Sequence, residues 1–301
     1  MKIGLIGLGR MGKNLALNIA EKNHQLVVYN RTKEKIDTII TENQNIKGAY
    51  SLEELKNKLE SPRVVWLMVP SGEPTQEMIV DLTKVLEKGD LIIDGGNSFY
   101  KDSIKRYTDL KEKGINFLDI GTSGGIEGAR NGACYMAGGD KEIFEIIEPI
   151  LKDTSVENGY GYMGSAGSGH FVKMVHNGIE YGMMQSIGEG FEVLKQHNPK
   201  FDFKNISKVW SNGSIISSYL MSLAQRMFSN DPKLEKIESK IGQSGEGLWT
   251  LKTALDLNVS LPAITASIFK RFDTQKSQDF SSKVIQGLRK EFGGHDAKNR
   301  L

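Results

Sequence analysis

The chain has 301 residues, 25% of them charged and 39% hydrophobic, with a formal net charge of +2. That balance fits a soluble globular protein with room for two domains, and the dispersed Lys and Arg point to neither nucleic acid nor an anionic membrane as partner. A single cysteine, Cys134, excludes an internal disulfide framework. With no bilayer-length apolar window and no signal peptide ahead of the first strand, a cytoplasmic location is expected.

In chain order, Ile3-Gly4-Leu5-Ile6 is a short apolar run ending in Gly7-Leu8-Gly9-Arg10-Met11-Gly12, and a helical pattern with Leu15, Ile19 and Ala20 follows. Strand, G-x-G-x-x-G and helix form the dinucleotide fingerprint in the context it requires. Gly7 allows the tight turn, Gly9 lets the backbone approach a pyrophosphate, and Gly12 lets the helix pack close to the sheet. Amides at the start of that helix then bind the anion. The next strand, Leu26–Tyr29, leads into Asn30-Arg31-Thr32, with Lys35 one turn on. A free ribose 2′-hydroxyl favours Asp or Glu at this point, whereas a guanidinium suits a 2′-phosphate, so NADP is expected ahead of NAD.

Strand and helix patterns then alternate: Val64–Val69, a helix near Pro74–Glu87, Leu91–Asp94, a helix near Lys101–Lys113, and Phe117–Ile120. Such alternation gives a doubly wound parallel sheet with functional loops at its carboxyl edge. The candidate loops are Val69-Pro70-Ser71, Asp94 to Ser98 with Asn97 at its centre, and Gly121 to Gly125, where Ser123, Gly124 and Gly125 offer a hydroxyl and amides. Cys134 lies in a segment that reads as a buried strand. Beyond Gly159 the alternation is expected to stop. After the breaker cluster Gly164–Gly169 only helices are read: Gly169–His197, Lys204–Phe228, Leu248–Asp256, Pro262–Arg271 and Ser281–Phe292. The reading is a Rossmann-like domain over 1–165 and an all-α domain over 166–301, with a polar tail after Phe292.

One stretch of the first long helix carries unusual information. At ~100° per residue, Lys173, His176, Asn177, Glu180 and Tyr181 share one arc, while Phe171, Val172, Met174, Val175, Gly178 and Ile179 fill the rest. A helix apolar nearly all round is expected to be buried, and its five polar groups to line a cavity.

Together these pieces resemble 6-phosphogluconate dehydrogenases of the β-hydroxyacid dehydrogenase superfamily. The likeness rests on Gly-Leu-Gly-Arg-Met-Gly, Asp-Gly-Gly-Asn-Ser, Ser-Gly-Gly, the His170–Tyr181 helix, Gly242–Thr250 and Phe292–His295. The chain is much shorter than the long form and looks like its short-form branch. The resemblance implies oxidation of 6-phosphogluconate at C3 by a nicotinamide, then loss of CO2 and protonation to ribulose 5-phosphate. It makes Lys173 the general base and then the acid at the keto intermediate, and Glu180 the proton donor to the enediol. Asn97, Ser123, Gly124, Gly125, His176 and Asn177 would hold the sugar acid, with Asn97 and Asn177 near both substrate and nicotinamide. Tyr181 and Arg271 match phosphate-binding positions. Arg289 and His295 match residues that reach a neighbouring subunit's site, which implies a homo-oligomer, dimer or tetramer.

Elementary chemistry agrees with those roles. A protonated amine can act as electron sink for decarboxylating a β-keto acid, so no metal is needed, and no metal-ligand spacing is present. Apolar surroundings should favour the neutral form of Lys173. Lys173 and Glu180 are spaced ~10 Å along a helix axis, which suits opposite parts of a six-carbon acid. One departure stands out: Ser244 and Glu246 occupy positions where the long form has Lys and Thr for the phosphate. That keeps two other readings in play, a dehydrogenase for a smaller or non-phosphorylated acid and a non-catalytic nucleotide sensor of the same fold.

Overall fold

The expected alternation runs through the first half of the chain in the computed structural model, which describes residues 1–242 and 244–275 together with 281 and 284. The order is β1 (Lys2–Ile6), α1 (Arg10–Glu21), β2 (Gln25–Tyr29), α2 (Lys33–Glu42), β3 (Ile46–Ala49), α3 (Leu52–Lys58), β4 (Val64–Leu67), α4 (Glu73–Leu82), β5 (Leu91–Asp94) and α5 (Tyr100–Lys111). There follow β6 (Asn116–Ser123), α6 (Gly125–Asn131), β7 (Ala133–Gly139), α7 (Lys141–Thr154) and β8 (Ser155–Gly164). The strands pair in the order β3-β2-β1-β4-β5-β6-β7-β8. Only β6 and β7 run antiparallel among them. The nine residues between those two are too few for the crossover that parallel neighbours need.

Successive strand residues feed opposite faces. Ile3, Leu5, Trp66, Ile93 and Ile120 pack with α1 and α7, while Ile6, Val65, Leu67, Ile92 and Phe117 pack with α3, α4 and α5. Because both faces are covered, the strands read as unbroken apolar runs. Each fully buried Ile or Leu there contributes ~1.5–3 kcal/mol. Parallel β1, β4, β5 and β6 deliver their carboxyl-end loops to one edge of the sheet, as expected.

Contacts divide the chain into two compact units, Met1–Asn177 and a second beginning at Gly178. The division falls inside α8 (Ser168–His197). In the second unit, α9 (Phe203–Trp210) and α10 (Tyr219–Asn230) pack on α8, with the Phe191 ring 5.8, 5.6 and 4.9 Å from those of Phe203, Trp210 and Phe228. Helices α11 (Glu246–Asp256) and α12 (Pro262–Thr274) follow.

Three expectations need correction. Alternation does not stop at Gly159: β8 extends to Gly164 alongside β7, anchored where Tyr162 packs on Phe144 and donates to Gly139 O at 2.9 Å. The helix expected over Lys204–Phe228 is two helices. Between them Gly213 takes φ +79°, Ser214 donates back to Trp210 O, and Ser218 caps Met221 N at 3.2 Å. Short hydroxyl side chains that bond the backbone compete with helix continuation. Finally, α8 is not buried all round. Val172, Ile179 and Met183 form an exposed stripe, with Ile179 52% accessible, because the sheet and neighbouring helices cover other sides of α8. The helix expected over Ser281–Phe292 lies, apart from Ser281 and Val284, outside the described residues.

Candidate functional site

The first loop has the geometry a pyrophosphate requires. Gly7 has φ +103°, and a Cβ there would stand 2.5 Å from Met68 O; at Gly12 it would stand 2.0 Å from Gly7 O. At Gly9, which precedes α1, a Cβ would meet nothing within 4 Å. Two glycines are thus dictated by packing and the third faces open space. No acidic residue occupies the first turn of α1, so the amides of Arg10 and Met11 keep the positive end of the helix dipole for an anion. A dinucleotide fits this cradle. Asn30 braces it: its Oδ1 accepts from Leu8 N at 2.9 Å and its Nδ2 donates to Thr32 O at 3.1 Å. The Leu8 amide and Asn30 side chain are therefore engaged with the loop itself, while Arg31 and Thr32 are exposed.

The next two loops abut the first. Val69 Cγ1 would lie 3.1 Å from a Cβ at Gly7, and Val69 O 2.9 Å from one at Gly96. Pro70 O accepts from the Thr75 hydroxyl at 2.8 Å. The loop after β5 is shaped by a buried ion pair that the sequence reading did not anticipate. Arg106, 3% exposed, donates from Nη1 to Asp94 Oδ2 at 2.9 Å and to Ser98 Oγ at 3.0 Å, and from Nη2 to Gly72 O at 3.1 Å. Asp94 also accepts from Ser98 Oγ at 2.7 Å and Gly96 N at 3.2 Å. With those groups satisfied, Asn97 projects as the exposed tip.

Strand β6 then holds the first turns of α8 with one face. Asp119, fully buried, accepts from Gly167 N at 2.7 Å and His170 N at 2.8 Å, giving the amino end of the helix a carboxylate cap. Two residues on, a Cβ at Gly121 would stand 2.3 Å from Lys173 Cβ, so only glycine admits the lysine there. Two further on, Ser123 Oγ lies 3.1 Å from His176 Nε2. Strand positions 119, 121 and 123 thus meet helix positions 170, 173 and 176 in step. This match of a two-residue to a three-residue spacing follows from the two geometries. Lys173 is 6% exposed; its Nζ lies 3.4 Å from His176 Nδ1, which is 3.0 Å from Asn177 Oδ1. With Nδ1 protonated, the imidazole donates to Asn177 and accepts from the Ser123 hydroxyl. Amine, imidazole, amide and hydroxyl form one contiguous polar group at the end of the sheet edge. Asp119 was missed by sequence reading, although a carboxylate inside Phe117-Leu118-Asp119-Ile120 is itself a signal. Arg106 left no such trace.

The second unit holds the remaining candidates. Glu180 is half-buried and Tyr181 buried. The Arg271 guanidinium stacks on Tyr181, with Cζ 3.5 Å from the ring centroid, and its Nη1 donates to Gly242 O at 2.7 Å. Gly247 permits that ring to approach, since a Cβ there would lie 2.6 Å from it. Glu246 opens α11 only 3% exposed, and Ser244 is exposed. Arg289 and His295 lie outside the described residues. No group of three or more His, Cys, Asp or Glu among the described residues is arranged to hold a metal ion, and no described helix is long and apolar enough to cross a membrane.

Comparison with known proteins agrees with this geometry. Residues 2–173 match the NAD binding domain of 6-phosphogluconate dehydrogenase, and residues 169–299 match its C-terminal domain. The two matches meet in the first turns of α8. The chain is 49% identical over 300 residues to the candidate 6-phosphogluconate dehydrogenase YqeC of Bacillus subtilis (strain 168), covering 100% of both. It is 44% identical over 285 residues to the NADP(+)-dependent, decarboxylating 6-phosphogluconate dehydrogenase of the same organism, covering 90% of this chain and 61% of that one. A Plasmodium falciparum 6-phosphogluconate dehydrogenase superposes over 100% of this chain and 68% of its own, with a TM-score of 0.84 and 34% identity. The chain thus spans about three-fifths of the longer decarboxylating relative and the whole of the short one. A nicotinamide-binding sheet, a polar group centred on Lys173 and matches along nearly its entire length make this chain a member of the 6-phosphogluconate dehydrogenase family, of its short-form branch.

Proposed function

We propose that this protein oxidatively decarboxylates 6-phosphogluconate to ribulose 5-phosphate and CO2, using NADP in preference to NAD. The observation that carries the reading is the buried Lys173 seated on Gly121, in contact with the His176–Asn177–Ser123 group. The nicotinamide, when bound, supplies the hydride acceptor, held by Gly7, Gly9, Arg10, Met11 and Gly12, with Arg31 beside the adenosine ribose. Lys173 takes the C3 hydroxyl proton and, once protonated, stabilises the carbonyl oxygen while the carboxylate leaves as CO2. Ser123 and His176 orient the hydroxyls, Asn97 and Asn177 hold the sugar acid, and Glu180 returns a proton to the enediol carbon that lost the carboxylate, C2 of the acid and C1 of ribulose 5-phosphate. Tyr181 and Arg271 take the phosphate.

We place the protein in the cytoplasm as a homo-oligomer, in which Arg289 and His295 serve a neighbouring subunit. The exposed stripe Val172, Ile179 and Met183 supports self-association, since apolar surface of this kind favours burial against a second copy. Initial rates with 6-phosphogluconate and gluconate, each with NADP and with NAD, test the reading when CO2 release is followed beside reduced cofactor. Reduced cofactor without CO2 replaces it with a non-decarboxylating dehydrogenase. No turnover with either acid leaves a nucleotide sensor.

A further inference from the structure

Glu246 is 3% exposed in the first turn of α11, and its Oε2 has no hydrogen-bond partner among the described residues. A carboxylate gains from a helix amino end, but an exposed one gains this too. Burying it with an unmet oxygen is unfavourable unless a donor arrives. The adjoining Gly247 packs against the ring of Tyr181, and Arg271 stacks on that same ring. Glu246 is therefore the chain neighbour of a cluster that, on the function proposed above, receives the distal end of the sugar acid.

We infer that Glu246 is a specificity-determining residue, which accepts a hydrogen bond from a hydroxyl at the substrate's distal end and disfavours a phosphate dianion there. The inference rests on the proposed reading of Tyr181 and Arg271. A carboxylate added to the same end of the substrate offsets the charge of one guanidinium, so a phosphate loses much of the attraction that Arg271 alone would exert. A primary hydroxyl, in contrast, supplies the donor that Oε2 lacks. The unphosphorylated six-carbon acid then joins 6-phosphogluconate as a substrate of this chain.

The test compares kcat/KM for gluconate and 6-phosphogluconate in the wild type, Glu246→Gln and Glu246→Ala. Glutamine keeps an acceptor for the hydroxyl and removes the negative charge, so 6-phosphogluconate should gain about tenfold while gluconate changes little. Alanine removes the acceptor, so gluconate should fall by about 10- to 100-fold, as for a lost hydrogen bond to a charged group. A ratio that stays within about twofold in both variants overturns the inference. Calorimetric binding of both acids in the presence of NADPH reads the same ratio without turnover. Absence of CO2 from the wild type therefore sinks the proposed reaction, whereas the binding ratio still decides the role of Glu246. Thermal melting identifies an unfolded variant, and should Glu246→Ala not fold, Glu246→Gln alone is decisive.

Discussion

Lys173 shows how far a single side chain depends on its immediate seat. Its amine lies 3.4 Å from an imidazole and its Cβ rests where Gly121 has none. Lys173→Met keeps most of the volume and removes the amine, so kcat should fall by about 100- to 10,000-fold, the range of a lost general acid–base group. Cofactor affinity, read by NADPH fluorescence, should hold. Equal turnover in the variant would remove the base from its assigned role. Arg31 is legible in a different way, because the residue type alone raises the expectation of a 2′-phosphate. It is exposed beside Thr32. Arg31→Ala should lower kcat/KM with NADP by about 10- to 100-fold relative to NAD, as expected for a charge-assisted hydrogen bond. A constant NADP-to-NAD ratio would show that the guanidinium does not read the phosphate.

At the scale of elements, β6 and α8 act as one unit. Asp119 bonds the helix start and Gly121 admits Lys173, while Ser123 meets His176. Gly121→Ala would place a Cβ 2.3 Å from that of Lys173, so helix or strand must shift. A displacement near 1 Å costs about 100-fold in rate, and kcat should drop with little change in NADPH binding. An unchanged kcat would mean that the pair tolerates a wider gap. The ion pair of Arg106 with Asp94 fixes the neighbouring loop in the same manner. Arg106→Met leaves Asp94 buried without its charge partner, and unfolding in urea should show a loss of about 3–5 kcal/mol. A loss below about 1 kcal/mol would mean that the Asp94 carboxylate is well served by Ser98 and Gly96 alone. Neither device has a periodic pattern. Asp119 was detectable as a carboxylate in an apolar strand, but its partners were not, since they lie 48 and 51 residues away.

Across the whole molecule, one helix belongs to both compact units, contributing Lys173, His176 and Asn177 to the first and Glu180 and Tyr181 to the second. The first unit also carries an acid-sensitive contact at the far end of its sheet. His24 is buried; its Nδ1 accepts from the Met1 amine at 2.9 Å and its Nε2 donates to Asp153 Oδ2 at 3.1 Å. Burial, followed by the charge of the terminal amine, lowers its pKa below 6.5, against the opposing pull of Asp153. A depressed folded-state pKa means that the unfolded chain binds the proton more readily. Stability is therefore retained above pH ~6.5 and falls as pH drops towards the folded value. His24→Gln, which does not titrate, should make the urea midpoint less sensitive to pH between about 7 and 5. An identical slope would place the acid sensitivity elsewhere.

The order of residues alone was enough to read the dinucleotide loop, the sheet class and the polar arc of α8, because each is a local pattern: glycine spacing, apolar runs, and a polar arc at helical pitch. The tertiary structure decided what depends on partners remote in sequence. It supplied the carboxylate beneath the start of α8, the arginine behind the Asn97 loop, the extension of β8, and the burial of Glu246 at the start of α11. Local spacing governs conformation within a turn or two, whereas the environment of a charge is set by whichever segments fold against it.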